Sequence, residues 1–154
     1  MTDDKLADLL GALGESMGID ALRWDDQAQC QLLIGEDLSL LLRYSSHEER
    51  ITLAAVVADT LPDPLDHALT VELLEHALSP MARSGPAIGL DRDNDLLLAY
   101  WLVSVAHLDA TGLVQHVQDF LAYVFFMRER IAGENRTPFV SADTATSMPL
   151  GHMV

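Results

Sequence analysis

Residues 28–57 read AQCQLLIGEDLSLLLRYSSHEERITLAAVV, and the alternation of side chains along this stretch decides the fold. Three runs with a period of two residues are separated by short polar segments at 35–37 and 45–49. A period of two is typical of strands with one buried face, and links this short join antiparallel neighbours. The stretch therefore predicts a three-stranded antiparallel meander.

The second face of this meander is only partly polar. Leu33, Leu41 and Val56 lie on it beside glutamine, arginine and threonine side chains. A sheet face turned to water normally carries fewer aliphatic groups than this. We therefore expect another surface to cover it.

A helix is predicted before the meander, because apolar residues recur at the spacing of three and four over residues 6–17. Thr2 is placed to cap this helix and Gly18 to end it. Gly11 and Gly14 lie inside it, and we expect them to be tolerated there rather than to mark a close contact with another backbone.

A second helix is expected after the meander, with Asp63 as its cap, Pro64 at its first position and its end near Ser79. Its apolar residues spread wider than one stripe, which indicates cover on two sides. A second subunit is the simplest cover for the outer side.

Two more strands follow, at 87–90 and 96–105, and the second is apolar enough to predict burial on both faces. A last amphipathic helix is capped by Asp109 or Thr111 and is expected to end with Arg128 and Arg130 in its final turn and Gly133 after it.

These elements predict an α+β fold in the order helix-strand-strand-strand-helix-strand-strand-helix, with a twisted antiparallel sheet flanked by helices. Residues 1–133 form one domain, because no internal repeat or change of composition divides them. Residues 134–154 lose the periodicity and are rich in serine, threonine and proline, so a disordered tail is expected there.

Composition and charge narrow the classes of function. The chain of 154 residues is 49% hydrophobic, which suits one soluble domain with a normal core. Its net charge of -15 argues against binding to nucleic acid or to anionic membranes, because both would repel it. No apolar run approaches the roughly 18 residues of a membrane helix. The charge is concentrated in residues 1–77, where 16 acids face four bases.

Catalytic and metal-binding motifs are absent from the sequence. There is no phosphate-binding glycine loop, no zinc-protease helix and no nucleophile elbow. Asp91, Asp93 and Asp95 match the first three ligand positions of a calcium loop, but Leu96 replaces the glycine and Leu102 the glutamate that such a loop needs. A polar hairpin turn is the favoured interpretation.

The remaining reactive side chains also favour structural roles. Cys30 is the single cysteine, so it forms no internal disulfide, and it lies on the apolar face of the first strand. The pair His67 and His76 and the pair His107 and His116 are each nine residues apart, which does not suit a shared metal ion on one helix. We therefore expect no catalytic residue, metal or other cofactor.

The ordered set of elements resembles the class I type III secretion chaperones, the CesT or Tir chaperone family. The resemblance is carried by the first helix with LLGALG at 9–14 and its end at Gly18, by AIGLD at 87–91 before a turn and LLL at 96–98, and by Leu108-Asp109 before the last helix. It covers about residues 3–132, and members of that family are also small, acidic and dimeric.

The resemblance implies a function. It implies a cytoplasmic protein of a Gram-negative bacterium that binds the N-terminal region of a secreted effector and keeps it extended, soluble and competent for secretion. Its partners are then the effector, a second copy of the chain and the secretion ATPase. The residues implied for contact with the effector are Leu6, Leu10, Leu13, Leu33, Leu41 and Val56, and those implied for the homodimer interface are Leu73, Leu78, Tyr100 and Trp101.

Three alternatives stay open at this point. Each apolar residue named for an interface is equally compatible with the core, where apolar positions most often lie. A general regulatory module of the same fold, acting on a folded partner, fits the pattern as well. An enzyme that uses Asp91, Asp93 and Asp95 with a divalent ion is the third alternative.

Overall fold

The computed structural model describes residues 2–134, and the elements follow the predicted order with one short helix added. The helices and strands are α1 (Asp3–Met17), β1 (Gln29–Ile34), β2 (Leu38–Ser45), β3 (Arg50–Ala58), α2 (His67–Ala77), α3 (Ser79–Ala82), β4 (Ala87–Asp91), β5 (Leu96–Ser104) and α4 (Ala110–Glu134). The α+β fold class is confirmed. The tail predicted for 134–154 lies outside the described residues, apart from Glu134, which is the last residue of α4.

The five strands form one antiparallel sheet in the order β1-β2-β3-β5-β4. One face of the sheet is buried under α1, α2 and α4, and α4 contacts both α1 and β3. The alternation of side chains sets this face, because its residues meet in register across the strands, as Cys30 does with Leu42 and Leu42 with Leu53. Leu53, Leu40 and Phe120 of α4 are fully buried in this single core. The helices thus lie on one side of the sheet only.

Helix α1 begins and ends as predicted, but one of its glycines has a packing role. The hydroxyl of Thr2 accepts from the amide of Lys5, and Gly18 ends the helix with a left-handed φ of 67°. A Cβ on Gly14 would lie 2.7 Å from the carbonyl oxygen of Ile19, whereas Gly11 has open space around it. The expectation that both glycines are merely tolerated is therefore wrong for Gly14, because the chain folds back onto the helix at that point.

Helix α2 begins later than predicted. Its cap is Asp66, whose Oδ2 accepts from the amides of Ala68 and Leu69 at 2.9 and 3.2 Å. Asp63 and Pro64 are therefore not the helix start, and the helix ends at Ala77 before the short α3. A carboxylate caps a helix only when it sits directly before the first turn, and Asp66 occupies that place.

Helix α4 is longer than predicted at its end. Asp109 accepts from the amide of Gly112 at 2.7 Å and so caps the helix. The helix then runs through Gly133 to Glu134. Ion pairs join it to the rest of the fold, among them Arg128 to Asp37 at 2.8 Å and Arg130 to Glu72 at 2.9 Å.

Candidate partner-binding surfaces

The face of the sheet opposite the helices has no cover among the described residues, and we call it the open sheet face. Cross-strand pairing places Leu41 beside Ala54 and Ala54 beside Tyr100. A second row pairs Val56 with Leu98 and Leu98 with Gly89. Neighbouring strands lie about 4.8 Å apart, so these side chains form a continuous apolar surface.

The exposure of these side chains shows how open the surface is. Leu33 is 65% exposed, Leu102 38% and Val56 36%, while Leu41 and Tyr100 are half-buried by their neighbours on the sheet. Strand β5 was expected to be buried on both faces, and this expectation is wrong for the single chain, because no helix within residues 2–134 covers its second face. An apolar surface of this kind in an isolated chain marks a site of interaction.

The outer edge of β1 borders the open sheet face. The outward backbone groups of its first residue, Gln29, already have partners. The Gln29 amide donates to the Asp25 carboxylate, and the Gln29 carbonyl accepts from the Asp25 amide. Ala28 bonds with Tyr44 on β2, so the alternate residues Gln31 and Leu33 direct their backbone groups away from β2. Leu33 therefore combines an exposed apolar side chain with backbone groups available to a further strand.

The three residues of α1 that were predicted to contact an effector are buried and do not lie on the open sheet face. Leu6 is 6% exposed and Leu10 and Leu13 are 0% exposed, because α1 turns this stripe toward α4 and the core. Trp24 covers the start of the helix, and its Nε1 donates to the carbonyl of Leu6 at 3.0 Å. Leu10 and Leu13 have no exposed surface and Leu6 has very little, and packing within the chain accounts for this burial.

Acidic residues surround the part of the open sheet face that β1, β2 and β3 form, without entering it. Strands β1, β2 and β3 contain no aspartate or glutamate. The acids of this region lie in the connections at the two ends of the strands: Asp25, Asp26, Glu36, Asp37, Glu48, Glu49 and Asp59. The apolar surface therefore has a rim of negative charge, which keeps such a surface soluble.

A second apolar surface lies at the other end of the sheet, where β4 is the edge strand. Between α2 and β4 there is an apolar groove of about 210 Å³, lined by Leu73, Leu74 and Leu90 among others. Leu74 is 64% exposed, Leu78 60% and Met81 88%. We call this region, formed by α2, α3 and β4, the α2–β4 surface.

The four residues predicted for a dimer interface divide between different surfaces. Leu73 and Leu78 belong to the α2–β4 surface. Tyr100 lies on the open sheet face, whereas Trp101 points to the helical side and packs against His116 with ring centroids 4.8 Å apart. Adjacent residues of a strand point to opposite faces, so Tyr100 and Trp101 cannot both face one partner across the sheet.

The groups considered for catalysis and metal binding have structural environments. Burial raises the pKa of the Cys30 thiol, which disfavours its reactive form. The Asp91 carboxylate accepts from the amides of Asp93 and Asn94 and from the Asn94 side chain, and these bonds lower its pKa. Within residues 2–134 no group of three acidic, histidine or cysteine side chains is placed to hold a metal ion.

The imidazole rings of His116 and His76 both contact neighbouring groups. The His116 Nδ1 donates to the Gly112 carbonyl at 2.7 Å, and the His76 ring lies 5.4 Å from that of Tyr123. The Tyr123 hydroxyl is buried and has no hydrogen-bond partner among the described residues.

None of the helices in this part of the chain is both long and apolar enough to cross a bilayer.

Some surface residues escaped the sequence analysis. Leu98 and Leu102 are on the open sheet face, but the apolar run of β5 suggested burial on both sides. Val71, Leu74 and Met81 are exposed on or near α2, and the wide apolar arc of that helix was the signal that could have identified them.

Comparison with known proteins identifies the family. The profile of the Tir chaperone protein (CesT) family matches residues 8–128. A comparison with characterised protein sequences finds no match.

Solved structures share the fold. A chain of the HopA1–SchA chaperone–effector complex superposes with a TM-score of 0.68 and 25% identity over 84% of this chain and 98% of its own length. A chain of the ExsC–ExsE complex gives 0.70 and 20% identity over 83% and 94%. A chain of the complex between the Yersinia pestis type III secretion chaperone SycH and a stable fragment of YscM2 gives 0.62 and 12% identity over 79% and 98%. The family profile covers most of the domain, and the chain belongs to the Tir chaperone protein (CesT) family.

Proposed function

We propose that this protein is a type III secretion chaperone, which binds the N-terminal region of a cognate effector in extended form and keeps it soluble and competent for secretion. Membership of the CesT family and a fold shared with chaperone–effector complexes support the proposal. The observation that carries it is the open sheet face beside the edge of β1, which has no neighbouring strand on its outer side within residues 2–134.

The geometry at β1 suits an extended peptide. A strand added beside β1 bonds to the outward backbone groups of Gln31 and Leu33, and its alternate side chains reach the apolar surface. Leu33 lies at the edge, and Leu41 and Val56 lie one and two strands further in. A peptide held in this way uses main-chain bonds for affinity and apolar contacts for selectivity.

We propose further that two copies associate through the α2–β4 surface. Its exposed leucines and Met81 are apolar, and the edge of β4 is free among the described residues. Leu73 and Leu78 are the interface residues retained from the sequence analysis. In such a homodimer both open sheet faces remain available, so one effector chain can contact both copies.

The activity requires binding and release but no bond-making chemistry. We therefore propose a non-enzymatic protein without a cofactor, located in the bacterial cytoplasm where effectors are synthesised. The secretion ATPase is its further partner, at the stage where the effector is handed over. The polar turn at Asp91 then serves only to join β4 to β5.

Copurification tests the proposal. The chaperone is coexpressed with candidate secreted proteins, beginning with those encoded beside it, and the mass of the complex gives the stoichiometry. We expect one effector with two copies of the chaperone. The variants Leu33→Asp and Leu41→Asp lose the effector while the dimer persists.

The alternative is a regulatory module of the same fold that recognises a folded partner. A partner that keeps its amide protection when bound, without an ordered extended segment, would support that alternative. Failure of every secreted protein to bind would refute the chaperone proposal.

A further inference from the structure

We propose that the extended segment of the effector carries an acidic side chain, which binds Arg43 on the open sheet face. This role of Arg43 rests on the proposed chaperone function and adds a chemical requirement that apolar contacts do not impose. Arg43 belongs to β2 and is exposed. The occupant expected on this face is a partner segment that combines apolar side chains with a carboxylate.

The strands are poor in charge, although the chain is rich in it. The sequence has 24 acidic residues and nine lysines and arginines, but the five described strands hold only Arg43, Arg50 and Asp91. Asp91 is the last residue of β4, and its carboxylate accepts from the amides of Asp93 and Asn94 in the turn. The charge carried by β1, β2 and β3 is therefore positive, in contrast to the acidic connections around them.

Cross-strand pairing places Arg43 on the open sheet face. It pairs with Gln29 on one side and with Thr52 on the other. It lies two residues from Leu41, which pairs with Ala54 on the same face. The backbone of Arg43 is about 7 Å along β2 from that of Leu41, so the arginine borders the apolar surface.

Arg43 differs from Arg50 in its partners. The Nη2 of Arg50 lies 2.7 Å from a carboxylate oxygen of Glu48, and its Nε is buried. The Arg43 side chain forms no ion pair or hydrogen bond within residues 2–134. A partner that covers this arginine removes its water, which costs free energy unless the partner supplies an acceptor. A carboxylate matches a guanidinium group in both charge and geometry.

The edge of β1 sets the level at which the carboxylate lies. A strand added there pairs with Gln31 and Leu33, and its pairing ends at Gln29, whose outward groups already have partners. Its backbone lies two strands from β2, or about 10 Å from that of Arg43 at about 4.8 Å per strand. An extended arginine and a glutamate side chain together span this distance. We therefore expect the carboxylate two residues beyond the side chain at the level of Gln31.

Binding measurements on the full chain test this role of Arg43. The probe is a fluorescent peptide from the N-terminal region of the effector found by copurification. Arg43→Gln is expected to raise its Kd about tenfold, the size expected for one hydrogen bond to a charged group, and by less at high salt. The matched control Arg92→Gln makes the same change of net charge in the turn between β4 and β5, and it is expected to leave the Kd unchanged.

A double-mutant cycle identifies the carboxylate. Each aspartate and glutamate of the peptide is replaced in turn by asparagine or glutamine. One replacement is expected to raise the Kd about tenfold with the parent protein and to have little effect with Arg43→Gln. Arg43→Glu is expected to bind a peptide with lysine at that position more tightly than the original peptide.

Equal effects of Arg43→Gln and Arg92→Gln would overturn this role of Arg43, as would a bound segment in which no acidic residue couples to it. Loss of the dimer in Arg43→Gln would assign the arginine to a second copy and would also overturn it. With any of these results, weaker binding by Leu33→Ala still supports the chaperone proposal. Failure of every secreted protein to bind refutes both.

Discussion

Shortening the Leu33 side chain is expected to weaken effector binding much more than it lowers the stability of the fold. Leu33→Ala removes three carbons, worth about 2.4 kcal/mol when fully buried at ~0.8 kcal/mol per methylene. Leu33 is 65% exposed in the free chain. If an effector strand covers it, the exposed share contributes about 1.6 kcal/mol, so the variant is expected to raise the Kd about 15-fold. The share already buried costs the fold only about 0.8 kcal/mol.

Leu32 provides the matched control because it is the preceding residue of β1 and points to the opposite face. It is 3% exposed and packs in the core. Leu32→Ala is therefore expected to lower the free energy of unfolding by about 2–5 kcal/mol. Its effect on binding should follow only from the loss of folded protein.

The assay uses the effector identified by copurification. A fluorescent peptide from its N-terminal region is titrated with each variant, and urea unfolding gives the stability of the same samples. A Kd for Leu33→Ala equal to that of the parent would refute the assignment of this surface. A weakening explained entirely by lost stability would refute it as well.

Three further predictions concern packing, assembly and pH. Gly14→Ala brings a Cβ to 2.7 Å from the Ile19 carbonyl and is expected to cost about 1–3 kcal/mol in urea unfolding, whereas Gly11→Ala gains about 0.5–1 kcal/mol; similar effects of the two would contradict the close contact. Leu74→Asp is expected to give a monomer in analytical ultracentrifugation, and a dimer of unchanged affinity would exclude the α2–β4 surface. Burial raises the pKa of Tyr123 from 10.0 to about 12, so its contribution to stability is complete below pH 10 and is lost as the pH rises through 12. Tyr123→Phe should lack this part of the alkaline loss, and identical alkaline profiles for the two proteins would contradict the assignment.

Local patterns predicted most of the elements correctly. The strands of the meander and α1 are specified by neighbours two, three and four residues apart, and the cap at Thr2 and the stop at Gly18 act within one turn. The start of α2 was misplaced because Asp63 and Asp66 are both good caps in sequence, and only the path of the chain decides which carboxylate meets the first amides. The role of Gly14 also depends on that path, since Ile19 lies beyond the end of the helix.

The exposure of the candidate site residues could be predicted only in part, for a related reason. Leu33 and Leu41 were identified because they interrupt an otherwise polar face. Leu10 and Leu13 were included because an apolar stripe on a helix has the same appearance whether it meets a partner or the core. In the fold α4 covers them, and nothing in residues 2–134 covers Leu33.

The sequence by itself determined which side chains share a face, since the periods of strand and helix are local properties of the backbone. It also placed the negative charge in the connections, where it now surrounds the open sheet face. Only the tertiary structure decided which apolar faces are covered, because α1, α2 and α4 all pack on one side of the sheet. Cover depends on contacts between segments far apart in the chain, and no local period records them.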